Sequence, residues 1–171
     1  MVKKYNELYE NLKKNDYKMS DLIYHSLYNR ALSVLITLIY EDIIKKEQFQ
    51  EIVDDFTDLL FTENGDDQPD LDKVYDLLEV MIHKGLDVNM VRNDSDTILE
   101  LVVSIEDDQR DIRNSLIDLI MNNGMVITNP IGDYIENVGY LAPESYKYIE
   151  EKYPKKLEEY KKYKQTKKFK I

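Results

Sequence analysis

The stretch DLLEVMIHKGLDVN, residues 76–89, decides how the chain is read. Leu77, Leu78, Met81 and Ile82, with Val74 before them, recur at helical spacing, and Gly85 stands where a helix stops in a left-handed residue. SLIDLIMNNG, residues 115–124, repeats the pattern: with Gly85 laid on Gly124, Leu77, Leu78, Val80, Met81 and Ile82 fall on Leu116, Ile117, Leu119, Ile120 and Met121. The offset is 39 residues. A fixed offset with matched apolar positions marks stacked helical pairs, each too small to bury its own apolar face.

Working outward, helices are expected over about Leu71–Lys84, Asp96–Ile105 and Ile112–Asn123. Upstream, Ser20 reads as the N-cap of a helix carrying Leu22, Ile23 and Leu27. The segment Ala31–Tyr40 is apolar nearly all round, as in a helix packed between others. Phe49, Ile52, Val53, Phe56, Leu59 and Leu60 form one face of a further helix whose other face carries Glu51, Asp54, Asp55 and Asp58. ENGDDQPD, residues 63–70, is a loop by composition. No long alternating run announces strands, and 5 Gly and 4 Pro punctuate the chain without interrupting it. The expected fold is therefore all-α, built of stacked antiparallel helical pairs.

These residues resemble the ankyrin-repeat family. DLLEVMIHKGLDVN is similar to its second helix, Gly turn and finger, with Asp87, Val88 and Asn89 in the place of its usual D-V-N. NDSDTILELV, residues 93–102, resembles the start of the next repeat: Thr97 and Leu99 match the Thr and Leu of T-P-L-H, and Glu100 takes the place of its His. Ile98 stands where the family has Pro, and Ser95 where it has a turn Gly. The spacing exceeds the family's usual 33 residues because of IEDDQRD, residues 105–111. The match is best over residues 71–127; an irregular helical bundle with one such hairpin is the alternative fold. The resemblance implies a short solenoid over residues 1–152, followed by a basic helix or tail at 153–171. Residues 128–152 would form a capping pair. It also implies a concave binding face made of Asn89, Arg92, Asn93, Asp96, Glu100 and Ser104, used to hold another protein.

Charge narrows the partner. Across 171 residues, 23 Lys and Arg stand against 34 Asp and Glu, a net of -11. Lys147–Ile171 alone carries 10 Lys against 4 Glu, so the first 146 residues hold -17, and Glu41–Asp76 holds -10. Such a body repels nucleic acid and anionic membranes and attracts basic proteins. Within the tail, Tyr153, Tyr160, Tyr163 and Phe169 interleave with Lys, and a solvated terminal helix is expected there rather than a nucleic-acid arm. Two acidic inserts fall between first and second helices, and equivalent places in a stack share one edge. Asp66, Asp67 and Asp70 in one insert, Glu106, Asp107, Asp108 and Asp111 in the other, with Asp54 and Asp58 nearby, make an expected docking edge.

Chemistry is sparse. There are no Cys and only two His, His25 and His83, without zinc spacing. No P-loop, dinucleotide or nucleophile-elbow motif occurs. Residues 63–70 lack the Gly and Glu of an EF-hand loop. We expect no catalytic residues, cofactor or metal. The longest apolar stretch is half of the roughly 20 residues a bilayer span needs, and the basic start MVKKYNELYE has no apolar segment behind it, so the cytoplasm is the expected compartment. The expected function is a non-enzymatic protein-interaction module, with an acidic inhibitor or toxin-immunity protein masking a basic enzyme such as a nuclease as the alternative. Oligomeric state stays open.

Overall fold

The computed structural model describes residues 18–29, 31–61, 70–92, 96–128 and 143–168, with side chains of the last helix described as far as Lys162. Asn93 and the loop residues Asp66 and Asp67 lie outside this set, as do Phe169 and residues 129–142 of the expected capping pair, and the Tyr163 side chain is likewise not described. Among the described residues there are nine α-helices: α1 Met19–Tyr28, α2 Leu32–Tyr40, α3 Phe49–Asp54, α4 Phe56–Leu60, α5 Leu71–His83, α6 Ile98–Val102, α7 Arg110–Asn122, α8 Pro143–Lys152 and α9 Pro154–Lys168. Short 3₁₀ turns at Lys46–Gln48 and Asp107–Gln109 lead into α3 and α7. No strand occurs among the described residues, apart from one isolated antiparallel bridge between Val91 and Thr97.

The helices form because their apolar positions find partners. α1 packs on α2 and α3, α2 on α5, and α5 on α7, while α4 and α6 pack together beneath α5 and α7. Leu35, Ile39, Phe49, Ile52, Phe56, Leu77, Leu78, Met81, Leu116, Ile117 and Ile120 are all sealed in one continuous core. At roughly 1.5–3 kcal/mol for each fully buried side chain of this type, the shared core is what makes such short helices stable.

One way of ending a helix recurs. After α5, Gly85 adopts φ +99°, its N–H donates to Ile82 O at 3.0 Å, and Leu86 N–H donates to Met81 O at 2.9 Å. After α2, Asp42 adopts φ +57°, its N–H donates to Ile39 O at 3.1 Å, and Ile43 N–H donates to Leu38 O at 2.9 Å. Both are Schellman endings, which return orphan carbonyls to hydrogen bonding through a left-handed residue. Gly124 after α7 has φ +98°. Buried apolar residues follow each turn: Ile44, then Leu86 and Val88, then Met125 and Ile127. The ending at Asp42 escaped the sequence reading because the left-handed residue there is not glycine.

Side chains bind one turn to the next. Lys84 Nζ donates to Tyr40 O at 2.9 Å and to Asp42 Oδ1 at 2.7 Å. Asn89 Nδ2 donates to Gly124 O at 3.3 Å, and Asn89 Oδ1 accepts from Val126 N–H at 2.8 Å. Lys156 of α9 donates to Met125 O.

Several local expectations are corrected. Ser20 lies inside α1, whose first turn is closed instead by Asp21 Oδ2 accepting from Lys18 N–H at 3.0 Å. The single helix expected through Phe49–Leu60 breaks at Asp55. Arg92 Nε and Nη2 reach Asp54 O at 3.3 and 3.1 Å, and Asp58 N–H donates to Asp55 O rather than to Asp54 O. A carbonyl held by a guanidinium is lost to the helical ladder, and the helix restarts one residue later. The tail is not a solvated helix throughout, because Leu157 and Tyr160 are each 2 % exposed and seat α9 in the core.

Candidate functional site

Of the expected concave face, Arg92 and Glu100 are buried, and Asn89, Asp96 and Ser104 are half-buried. Arg92 is 8 % exposed and Glu100 4 %, so neither offers a surface to a partner. Glu100 Oε2 accepts from Thr97 N–H at 2.6 Å and Thr97 Oγ1 at 2.9 Å, which caps α6 at its third position. Arg92 N–H donates to Asp96 O at 2.8 Å, beside the Val91–Thr97 bridge. Gln50 Nε2 donates to Val91 O at 3.0 Å and to Asp54 Oδ1 at 2.8 Å, fastening that turn to α3. Ser104 Oγ donates to Glu100 O at 3.1 Å. Asn89 bridges turns, as described above, and Asp87 Oδ1 accepts from its backbone and side-chain nitrogens, which holds the Asp87 carboxyl below its usual value. A polar residue that completes a neighbour's backbone hydrogen bonding is costly to divert to a ligand.

The acidic edge divides in the same way. Asp70 caps α5, its Oδ1 accepting from Lys73 N–H at 3.1 Å. Asp107 pairs at 2.6 Å with Arg113 Nη1, whose side chain is wholly buried and also donates to Ile105 O at 2.9 Å. Glu106, Asp108 and Asp111 are exposed at the start of α7, and Asp111 approaches Arg110 at 4.0 Å. Asp54 is half-buried and engaged with Gln50.

Asp58 and its neighbour Asp55 are differently placed. A groove of about 370 Å³ lies beside α1 where α3 gives way to α4, lined by Tyr24, Leu27, Tyr28, Asp55 and Asp58. Leu27 is its buried floor. Tyr24 and Tyr28, one helical turn apart, stack with ring centroids 6.0 Å apart and planes 20° from parallel, and they remain 56 % and 75 % exposed. His25 meets Tyr24 edge-on at 5.6 Å. Burial raises the Asp55 carboxyl above its usual value, and the charges of Asp58 and Asp54 raise it further, against the opposing pull of Arg92. Carboxylates crowded beside an exposed aromatic pair suit a cation. Sequence reading placed Asp54 and Asp58 on a docking edge but missed Tyr24 and Tyr28, whose i, i+4 spacing two turns before the apolar α2 was the available signal.

A second polar cluster, unforeseen in the sequence, joins α7 to α8 and α9. Asp118 accepts from Tyr148 at 2.9 Å, from Tyr153 at 2.8 Å and from Lys152. Burial works against the Asp118 charge, but these three donors prevail and hold its carboxyl below the usual value. Asp118 and Tyr148 hydrogen bonds raise Lys152, and burial followed by Asp118 pushes Tyr153 up to about 12. Lysine thus stays charged and tyrosine neutral at neutral pH, an arrangement for fastening helices rather than for moving protons.

Among the described residues, no three His, Asp or Glu side chains gather as a metal site, and no helix is long and apolar enough to cross a membrane. Compared with family models, curated proteins and solved structures, the chain finds no match.

Proposed function

We propose that this chain is a protein-binding module built as a short ankyrin-like stack, and that its partner is a basic protein. The observation that carries the reading is the helix ending repeated at Asp42, Gly85 and Gly124, with side chains bonding each turn to the next. Units that bury their faces only against neighbours form extended arrays whose exposed faces serve recognition. The successive pairs would be α1 with α2, α3 and α4 with α5, and α6 with α7, capped by α8 and α9. Net charge of -17 on the first 146 residues supports a basic partner, since complementary charge speeds encounter and excludes anionic competitors.

A second reading, an acidic inhibitor or immunity protein that masks a basic enzyme, is favoured by the concentration of -10 within Glu41–Asp76. Affinity capture with the full chain, at low and high salt and followed by cross-linking, tests both. A basic protein retained at low salt and released by salt is expected. Capture of no basic partner at low salt overturns the proposal. Loss of the captured protein's own activity on binding selects the inhibitor reading, and unchanged activity selects the module.

A further inference from the structure

Twice among the described residues a tyrosine ring, an aspartate and a lysine come together. Lys84 Nζ lies 5.7 Å from the Tyr40 ring centroid and 2.7 Å from Asp42 Oδ1. Lys152 Nζ lies 5.2 Å from the Tyr148 centroid and is paired with Asp118. In each case the ring quadrupole and the carboxylate act on the same ammonium, and a cation held this way fastens two parts of the fold. Lys84 joins the end of α5 to the turn after α2, and Lys152 joins α8 to α7.

The α1–α4 groove repeats two of the three members. Tyr24 and Tyr28 supply stacked, exposed ring faces over the apolar floor of Leu27, and Asp55 and Asp58 supply carboxylates on the facing wall. Among the described residues, no lysine ammonium pairs with either carboxylate or lies over either ring. The nearby cation Arg92 is buried, and its guanidinium is turned to the Asp54 carbonyl. We propose that a lysine side chain of the basic partner completes this third set, its alkyl stem lying on Leu27 and the tyrosines and its ammonium reaching Asp55 and Asp58. This rests on the binding function proposed above and names where and how the partner is read. Charge complementarity selects the occupant, because the walls carry two acids and the surrounding body is strongly negative. The room, about 370 Å³, admits one long side chain and its flanking backbone.

The test uses the full chain, ¹⁵N-labelled, titrated with a short lysine-bearing peptide and with the same peptide acetylated on its lysines. Shift changes centred on Tyr24, Tyr28, Asp55 and Asp58, absent with the acetylated peptide, are the expected result. Asp55→Asn with Asp58→Asn, or Tyr28→Ala alone, should weaken binding about three- to fivefold, the scale of an exposed cation–π contact or ion pair. Asp108→Asn with Asp111→Asn removes the same number of charges at the exposed start of α7 and should weaken it less. Equal weakening by both pairs, shifts centred elsewhere, or equal binding of the acetylated peptide would each overturn the site, and the acetylation arm needs no variant to fold. Capture of a basic protein that ignores the groove variants refutes the site and spares the function. Peptide binding in the groove without any basic protein captured does the reverse.

Discussion

Arg92 and Glu100 belong to a turn and helix as polar as the α1–α4 groove, yet both are under a tenth exposed, whereas Tyr24 and Tyr28 are more than half exposed. In the first region polar side chains meet backbone groups: Arg92 on Asp54 O, Glu100 on Thr97 N–H, Asn89 on Val126 N–H. In the second, Asp55 and Asp58 line one groove with the stacked rings of Tyr24 and Tyr28. Polar residues near the turns of this fold therefore do two kinds of work. One kind satisfies backbone groups that the turns leave orphaned, and the other leaves carboxylates crowded in a surface groove.

The largest expected effect lies in the internal region. Arg92→Ala should destabilise the fold by about 2–4 kcal/mol, because a buried donor is lost and the Asp54 carbonyl is left without it. Urea unfolding followed by circular dichroism measures this, and a change below the usual surface range would show that the turn at 91–97 is not what breaks α3 from α4. Gly124→Ala comes next, at about 1–2 kcal/mol, since a Cβ is strained at positive φ. Its new methyl meets nothing within 4 Å, so the loss is purely conformational. Asn89→Ala should cost about 1 kcal/mol through its bonds to the neighbouring turn.

Two aspartates sharpen the contrast through pH. The folded-state value of Asp55 is raised above 3.8, so its ionisation opposes folding above that folded value, and the opposition is relieved as pH falls through it. Asp55→Asn should therefore stabilise slightly at neutral pH, within about 0.5 kcal/mol for a half-buried group still screened by solvent, and the gain should vanish in acid. Asp118 is lowered below 3.8, so its stabilisation is present above 3.8 and is lost as pH falls through the lower folded value. Asp118→Asn should destabilise at neutral pH, with the difference from the unsubstituted chain closing in acid. Melting temperatures across pH 2–7, a range spanning the carboxylate titrations, read both signs. Smallest of all, Tyr28→Ala should leave stability within about 0.5 kcal/mol, as befits an exposed ring. A large loss there would make the tyrosine pair part of the core rather than a surface for a partner.

Much of this was legible beforehand because apolar periodicity is local information. Val74, Leu77, Leu78 and Met81 in α5, and Leu116, Ile117 and Ile120 in α7, are buried as their spacing required, and both stop at the glycines that only a left-handed turn explains. Asp54 and Asp58 were recognised as a candidate edge, but the groove was not, since it joins Asp58 to residues of α1 some thirty positions earlier in the chain. Arg92 and Glu100 were assigned to a binding face because a sequence shows that a residue is polar without showing what it bonds.

The sequence by itself determined the all-helical class, the matched helices ending at Gly85 and Gly124, and the division into an acidic body and a basic end, since each follows from residue order and type alone. Only the tertiary structure decided that Asp42 ends α2 as Gly85 ends α5, that Asp118 clasps Lys152 and two tyrosines, and that Arg92, 38 residues away, takes the Asp54 carbonyl and breaks one helix into two. Helical spacing records which face is apolar, but a carbonyl's partner depends on which donor the rest of the fold brings within reach. Asp55, at that break, and Asp58 line one groove with Tyr24 and Tyr28.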